Sequence, residues 1–306
     1  MLDIVGKRYW FFGLSLLIII PGVIALFLWG LPLAIDFTGG SLLEVRFESG
    51  IPPEPAQVVE LYEEFDISDT SVQTVGTNEI SARSKSIDDE TAARLVDEMQ
   101  VRFDGPVTIL RFESVGPAVG AEVAERAAGA VGLAALGILL YITYAFRGVT
   151  NAFRYGVAAI LAMIHDVAVV VGIEAILGHF LGWEVDALFL TALLTVIGFS
   201  VHDSIVVFDR IRENQRIHRR LEFETLVNHS IVQTLDRSIN TQLTVMLTLL
   251  ALLLFGGVTT RHFVTILLIG VFSGTYSSIF NAAPILVVWE KREWRSWLKR
   301  NQELSL

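Results

Sequence analysis

Residues 197–214 read IGFSVHDSIVVFDRIREN, and with the apolar residues from 187 onward they make a run of membrane-spanning length that is interrupted by His202-Asp203. A spanning helix needs about 20 predominantly apolar residues. An ionisable side chain at bilayer depth is costly, so Asp203 is a functional candidate from the outset. Helical spacing places Gly198, His202, Ile205 and Asp209 on one face, with Asp203 one position round from His202. Counted from Asp186, Asp203 falls in the inner half of the span. Asp209-Arg210 stands at its edge, where an interfacial charge pair ends the apolar run.

The rest of the chain fits a membrane setting. Of 306 residues, 53% are hydrophobic and 18% charged, with a mean hydropathy of +0.56; soluble domains carry about 25% charged residues. Cysteine is absent, which removes disulfides, thiolate catalysis and cysteine metal sites. The six histidines are scattered, so no metal site is expected. No glycine-rich phosphate loop ending in Lys-Ser/Thr exists, so ATP is not expected as the protein's own energy source, nor is any other cofactor.

Apolar runs predict six spans, near residues 11–31, 126–146, 155–177, 187–209, 238–256 and 262–288. The first is too long for a signal-peptide core and is read as a retained helix. With the N-terminus inside, the inner segments hold 15 of the 23 Lys and Arg residues, among them Arg147, Arg154, Arg210, Arg212, Arg216 and Arg237. That bias fixes an N-in, C-in orientation. Residues 1–35 are then an N-terminus and first span, 126–290 the remaining spans with an inner loop at 210–237, and 291–306 an amphipathic tail. An inner helix lying along the membrane surface is expected within residues 210–236.

The one large outer segment, residues 36–125, carries 19 Asp and Glu against 6 Lys and Arg. It reads strand (41–47), helix (53–65), hairpin (SVQTVG and EISARS), helix (87–100), strand (107–115), which is the β-α-β-β-α-β order of a ferredoxin-like domain. Two glycine motifs bracket it: Asp36-Phe37-Thr38-Gly39-Gly40 and Gly116-Pro117-Ala118-Val119-Gly120. Both read as hinges, with paired glycines for a sharp change of direction and Gly-Pro to stop a strand.

Other charges enter the apolar spans. His165-Asp166 lies near the middle of the third, suited either to a proton relay or to packing. Glu174 is placed at the interfacial end of that span. Arg237 enters the fifth span beside Ser238, Asn240 and Thr241 and needs a counter-ion, for which Asp203 is a candidate. A carboxylate balanced by a movable arginine can be switched by protonation. Gly129, Gly132, Gly137, Gly270, Gly274 and Ser278 permit close helix packing.

These residues resemble the SecF family, the smaller membrane subunits of the bacterial SecD/SecF protein-export complex within the resistance-nodulation-division superfamily. The likeness rests on IDFTGG (35–40), FESVGPAVG (112–120), HDV (165–167), GFSVHDSIVVFDRIREN (198–214) and SIVQTLDRSINTQLT (230–244). It implies an α-helical membrane protein of the bacterial cytoplasmic membrane that pairs with SecD. It also implies work beside the SecYEG translocon, with YajC and YidC as further partners, and promotion of preprotein translocation by the proton-motive force. Asp203 and Arg237 match the family's proposed proton-pathway residues; His202 stands where many relatives have asparagine. Neither enzymatic activity nor a nucleic-acid partner is expected. A proton-coupled exporter of a small or lipidic substrate and a passive translocon assembly factor are the alternative readings.

Overall fold

The structure, a computed structural model, describes residues 2–149 and 151–293. From residue 294 onward the expected amphipathic tail lies outside the described residues. The chain divides into two compact units, Leu33–Gly129 and a helical unit made of Met1–Pro32 with Ala130–Leu306. The smaller unit thus begins and ends a few residues outside the 36–125 read from sequence.

The smaller unit contains α2 (Ile35–Thr38), β1 (Gly40–Phe47), α3 (Pro55–Glu64), β2 (Ser71–Val75), β3 (Glu79–Ser84), α4 (Asp89–Arg102) and β4 (Val107–Val115). Its sheet is antiparallel in the order β2-β3-β1-β4, with a bulge in the β1–β4 register at Glu44/Val45. Alternation along β1 turns Leu43, Val45 and Phe47 inward, where they join Val58, Leu61 and Tyr62 of α3 and Leu95, Val96 and Met99 of α4 in one core. Both helices start on capping chemistry: Gln57 Oε1 accepts the Glu54 backbone N–H at 3.1 Å, and Asp88 Oδ1 accepts that of Thr91 at 2.9 Å.

The two glycine motifs form one joint. Gly39 and Gly40 have φ of 71° and 124°, conformations only glycine adopts without strain. A Cβ on Gly39 would lie 2.6 Å from the Pro117 Cα, and one on Gly120 would lie 2.6 Å from the Gly39 nitrogen. Two separate hinges were expected; the structure packs the motifs backbone to backbone.

Among the described residues six helices are long and apolar enough to cross a membrane. They are α1 (Arg8–Trp29), α5 (Pro117–Ala145, which begins in the smaller unit), α6 (Ala152–Leu181), α7 (Ala187–Ile217), α8 (Phe223–Phe255), and a last span built from α9 (Val258–Ser277), a π-helical turn (Ser278–Ala282) and α10 (Ala283–Glu290). The π turn has a local cause: Pro284 has no N–H for the carbonyl of Phe280, so the regular ladder cannot close there.

No separate surface helix occupies 210–236. Instead α7 runs on to Ile217, a short turn follows, and α8 begins at Phe223. The apolar run ends near residue 209, but the Arg, Glu, Asn and Gln residues beyond it tolerate helix, so hydropathy marked the end of the apolar surface and not of the helix.

Close approach organises the bundle. Gly22 of α1 and Gly172 of α6 meet so tightly that a Cβ on either would lie 2.7 Å from the other's Cα. Gly270 and Gly274 of α9 lie close against α7, where a Cβ would come 2.0 Å from the Val196 Cγ2 and 3.2 Å from the Ser200 Cα respectively. At one end Arg8 bridges Glu224 at 2.7 Å and Glu293, while Lys291 pairs with Glu222 and Glu224, tying the starts of α1 and α8 to the segment after α10.

Two outcomes follow from these contacts. Gly172→Ala should destabilise the detergent-solubilised protein by about 1–3 kcal/mol through overpacking, whereas Gly13→Ala, where nothing lies within 4 Å, should leave thermal unfolding unchanged. In the smaller unit, hydrogen bonds from the Thr91 hydroxyl and backbone N–H hold the Asp88 carboxyl below its ordinary range. The cap therefore stabilises above the unfolded-state value of about 3.9 and is lost as pH falls through the lower folded-state value. The protection factor at the first turn of α4, corrected for the intrinsic exchange rate at each pH, should fall over that acid window, and Asp88→Ala should remove that fall.

Candidate functional site

Asp203 sits on the inward face of α7, 2% exposed, and its Oδ2 accepts a hydrogen bond from Gln242 Nε2 of α8 at 2.6 Å. Around this pair the helix repeat gathers small hydroxyls: Ser200 and Ser204 on the Asp203 face of α7, and Ser238 one turn before Gln242 on α8. All three hydroxyls and Gln242 Oε1 are buried without a hydrogen-bond partner among the described residues. A burying bundle normally satisfies such groups. A carboxyl group, an amide and three rotatable hydroxyls are thus buried along these faces of α7 and α8.

Arg237 does not join them. It precedes Ser238, so the helix turns its side chain about 100° away, and it is exposed. Its ion pair with Asp203, expected from sequence, is absent among the described residues; a neutral amide holds the carboxyl group instead. Arg237 shares the exposed surface of α8 with Asn240, Thr241 and Thr244. His202 is likewise exposed, about 100° round the helix from the buried Asp203.

The second candidate pair is separate from the first. Asp166 on α6 is 0% exposed; its Oδ1 accepts from Ser273 at 2.7 Å and its Oδ2 from Ser277 at 2.6 Å, both on α9. His165 Nδ1 lies 2.9 Å from Asp166 Oδ1 and Nε2 lies 3.0 Å from Ser15 Oγ of α1, which also accepts from Asn281 Nδ2 at 2.9 Å in the π turn. This network joins α1, α6 and α9. Sharing between His165 and α7, expected from sequence, is not among the described hydrogen bonds.

Glu174 departs from expectation as well. Placed at the interface by sequence, it is 0% exposed and meets His262 of α9, with Oε2 and Nε2 3.1 Å apart. The motif residues Asp36, Gly39, Gly40, Gly116 and Pro117 belong to the smaller unit. Sequence reasoning thus missed Gln242, Ser273, Ser277 and the Glu174–His262 pair. A signal existed: Ser273 and Ser277 stand four apart on one helix face, and Glu174 follows Asp166 by two turns.

If Gln242 is what satisfies Asp203, Gln242→Leu should destabilise the protein by about 1–3 kcal/mol, the penalty of a buried polar group left unpaired. A double-mutant cycle with Asp203→Leu should return a coupling energy of similar size, read from thermal unfolding in detergent. Strict additivity would sink the pairing.

The comparisons with known proteins agree with one another. The profile described as "Protein export membrane protein SecD/SecF, C-terminal" matches residues 96–292, and the "SecD/SecF GG Motif" matches residues 24–51, which include Gly39 and Gly40. The chain is 63% identical over 301 residues to the protein translocase subunit SecF of Anaerolinea thermophila, covering 98% of each. It is 39% identical over 269 residues to the protein translocase subunit SecDF of Thermus thermophilus, covering 86% of this chain and 35% of that one. The crystal structure of that translocon-associated SecDF superposes with a TM-score of 0.80 at 37% identity, over 95% of this chain and 39% of its own length. By these matches, on top of its six apolar helices and small antiparallel sheet, the chain belongs to the SecF family of SecD/SecF protein-export membrane proteins.

Proposed function

We propose that this chain is the SecF half of a SecD/SecF pair in the bacterial cytoplasmic membrane, which draws preproteins through the SecYEG translocon at the expense of the proton-motive force. The smaller unit is then a ferredoxin-like extracytoplasmic domain, a reading supported by its β2-β3-β1-β4 order and two crossover helices. The chain itself is a transport subunit and not an enzyme. YajC and YidC are further partners on the same reading.

The observation that carries the proton reading is the setting of Asp203. It is buried at membrane depth, and its bonded neighbour is an uncharged amide. Among the described residues no cationic side chain pairs with Asp203, and a proton is the simplest way to remove a negative charge there. Protonation would change the balance of forces between α7 and α8, and a charge change inside a two-state bundle is a means of coupling proton uptake to movement.

Pairing with SecD is supported by what this chain leaves uncovered. Only 6% of the apolar window of α5 and 11% of that of α8 are buried, against 50% for α6 and α7. The exposed face of α8 carries Arg237, a charge unsuited to lipid unless a partner helix covers it. In the fused Thermus relative this chain corresponds to 35% of one polypeptide. The remainder of that polypeptide is where a SecD half would lie.

Proton flux should be measured in vesicles containing the reconstituted SecD/SecF pair, together with preprotein release. Asp203→Asn and Arg237→Ala should each reduce flux to the level of protein-free vesicles and halt proton-driven release while the pair still assembles. Unchanged flux and release in both variants would leave only a passive assembly role.

A further inference from the structure

Glu174 and His262 form a built site that the Asp203 mechanism does not use. Glu174 is fully buried on α6, yet its Oε1 has no hydrogen-bond partner among the described residues. Its Oε2 meets His262 Nε2 at 3.1 Å, and the imidazole, 19% exposed, is the link between the carboxyl group and the surface. The Trp183 ring lies 4.6 Å from the imidazole and the Phe189 ring 6.3 Å, so aromatic faces border the ring.

The other charged groups here are accounted for. On α6, His179 stacks on Trp29 at 4.0 Å. Arg261 on α9 is exposed, and Asp186 caps α7 through the Phe189 N–H at 2.7 Å; Glu184 lies in the same loop. Residues 13–29 of α1, 187–201 of α7 and 240–255 of α8 carry no charge. Nothing else in those segments competes for the Glu174 proton.

Along the antiparallel α6–α9 contact, Glu174 stands eight residues from Asp166, about 12 Å at helical rise. Between the two polar sites lie Val170 on α6 and Ile266 on α9, each 0% exposed. Two carboxyl sites in one helix interface are therefore separated by buried apolar side chains.

We infer that Glu174 and His262 are a proton-loading site at the end of the bundle away from Arg8, feeding the proton-coupled movement proposed above and resting on that reading. A hydronium ion from solution gives a proton to His262 Nδ1 and leaves water. The Nε2–H bond then breaks as an O–H bond forms at Glu174 Oε2, so the imidazole returns to neutral and the carboxylate becomes a neutral acid. One proton is stored, and no net charge is left inside the site. The Val170–Ile266 layer stops the stored proton from leaking inward until the helices move or water enters.

The test uses the reconstituted SecD/SecF pair, with flux followed as pH is varied on the extracytoplasmic side, and infrared titration of the carboxyl C=O band of the same samples. Glu174→Gln and His262→Gln keep a hydrogen-bonding amide but cannot carry the proton. Both should lose the dependence of flux on that pH, while Asp203→Asn abolishes flux at every pH. A carboxyl band that titrates in the unaltered protein should vanish in Glu174→Gln and shift in His262→Gln.

An unaltered pH profile and carboxyl band in both variants, with Asp203→Asn still abolishing flux, would reduce the pair to a structural tie and leave the proton-coupled reading standing. If Asp203→Asn kept full flux, that reading would fail by itself. The infrared band would then decide the pair: its presence supports a proton-binding site and its absence overturns one.

Discussion

A carboxyl group inside an apolar bundle must either find donors or give up its charge, and three carboxyl groups impose that condition on this fold. Asp166 satisfies it fully, with two serine hydroxyls and an imidazole. Asp203 is held by one amide, and Glu174 by one imidazole with an oxygen left over. The gradation matters because a fully bonded carboxylate is a structural anchor, whereas an under-bonded one is poised to change state.

Satisfying those groups requires helices to approach closely, and the small residues permit it. Ser273 and Ser277 reach Asp166 from the same helix on which Gly270 and Gly274 pack against α7. Gly22 and Gly172 bring α1 near enough to α6 for Ser15 to bond His165. The π turn adds to this by presenting Asn281 to Ser15. Glycine and serine here are therefore one device: the first sets the spacing, and the second supplies short side chains that can use it.

Much of this was legible from the residues. Alternation and turn chemistry placed every strand of the smaller unit, because a half-buried sheet writes its period directly into sequence. Apolar length gave six spans for the same reason. What sequence could not supply was the azimuth of each helix relative to its neighbours. Arg237 and Gln242 both lie on α8 and both suit Asp203 chemically; only the packing decides that Gln242 faces inward and Arg237 outward. Glu174 was read as near solvent from its distance to the helix end, whereas it is buried against His262 of α9, a partner that comes from elsewhere in the chain.

That Asp203 rests on an amide and not on an arginine has a physical consequence for switching. A fixed guanidinium can only donate, so it favours the carboxylate and opposes its protonation. A glutamine amide carries both a donor and an acceptor: its NH2 serves a carboxylate, and a half-turn of the amide offers the carbonyl oxygen to a carboxylic acid. Gln242 Oε1 is buried and otherwise unpartnered, and the Ser200, Ser204 and Ser238 hydroxyls can rotate to follow either state. On the proposed proton reading, such an amide would keep Asp203 partnered in both protonation states and lock neither. Arg237 is turned to the exposed side of the same helix, where on the proposed function it would meet the SecD partner while Gln242 stays with Asp203. On the proposed function both responses would belong to one helix, α8, whose rotation or sliding would carry a charge change at Asp203 to the surface proposed to face SecD.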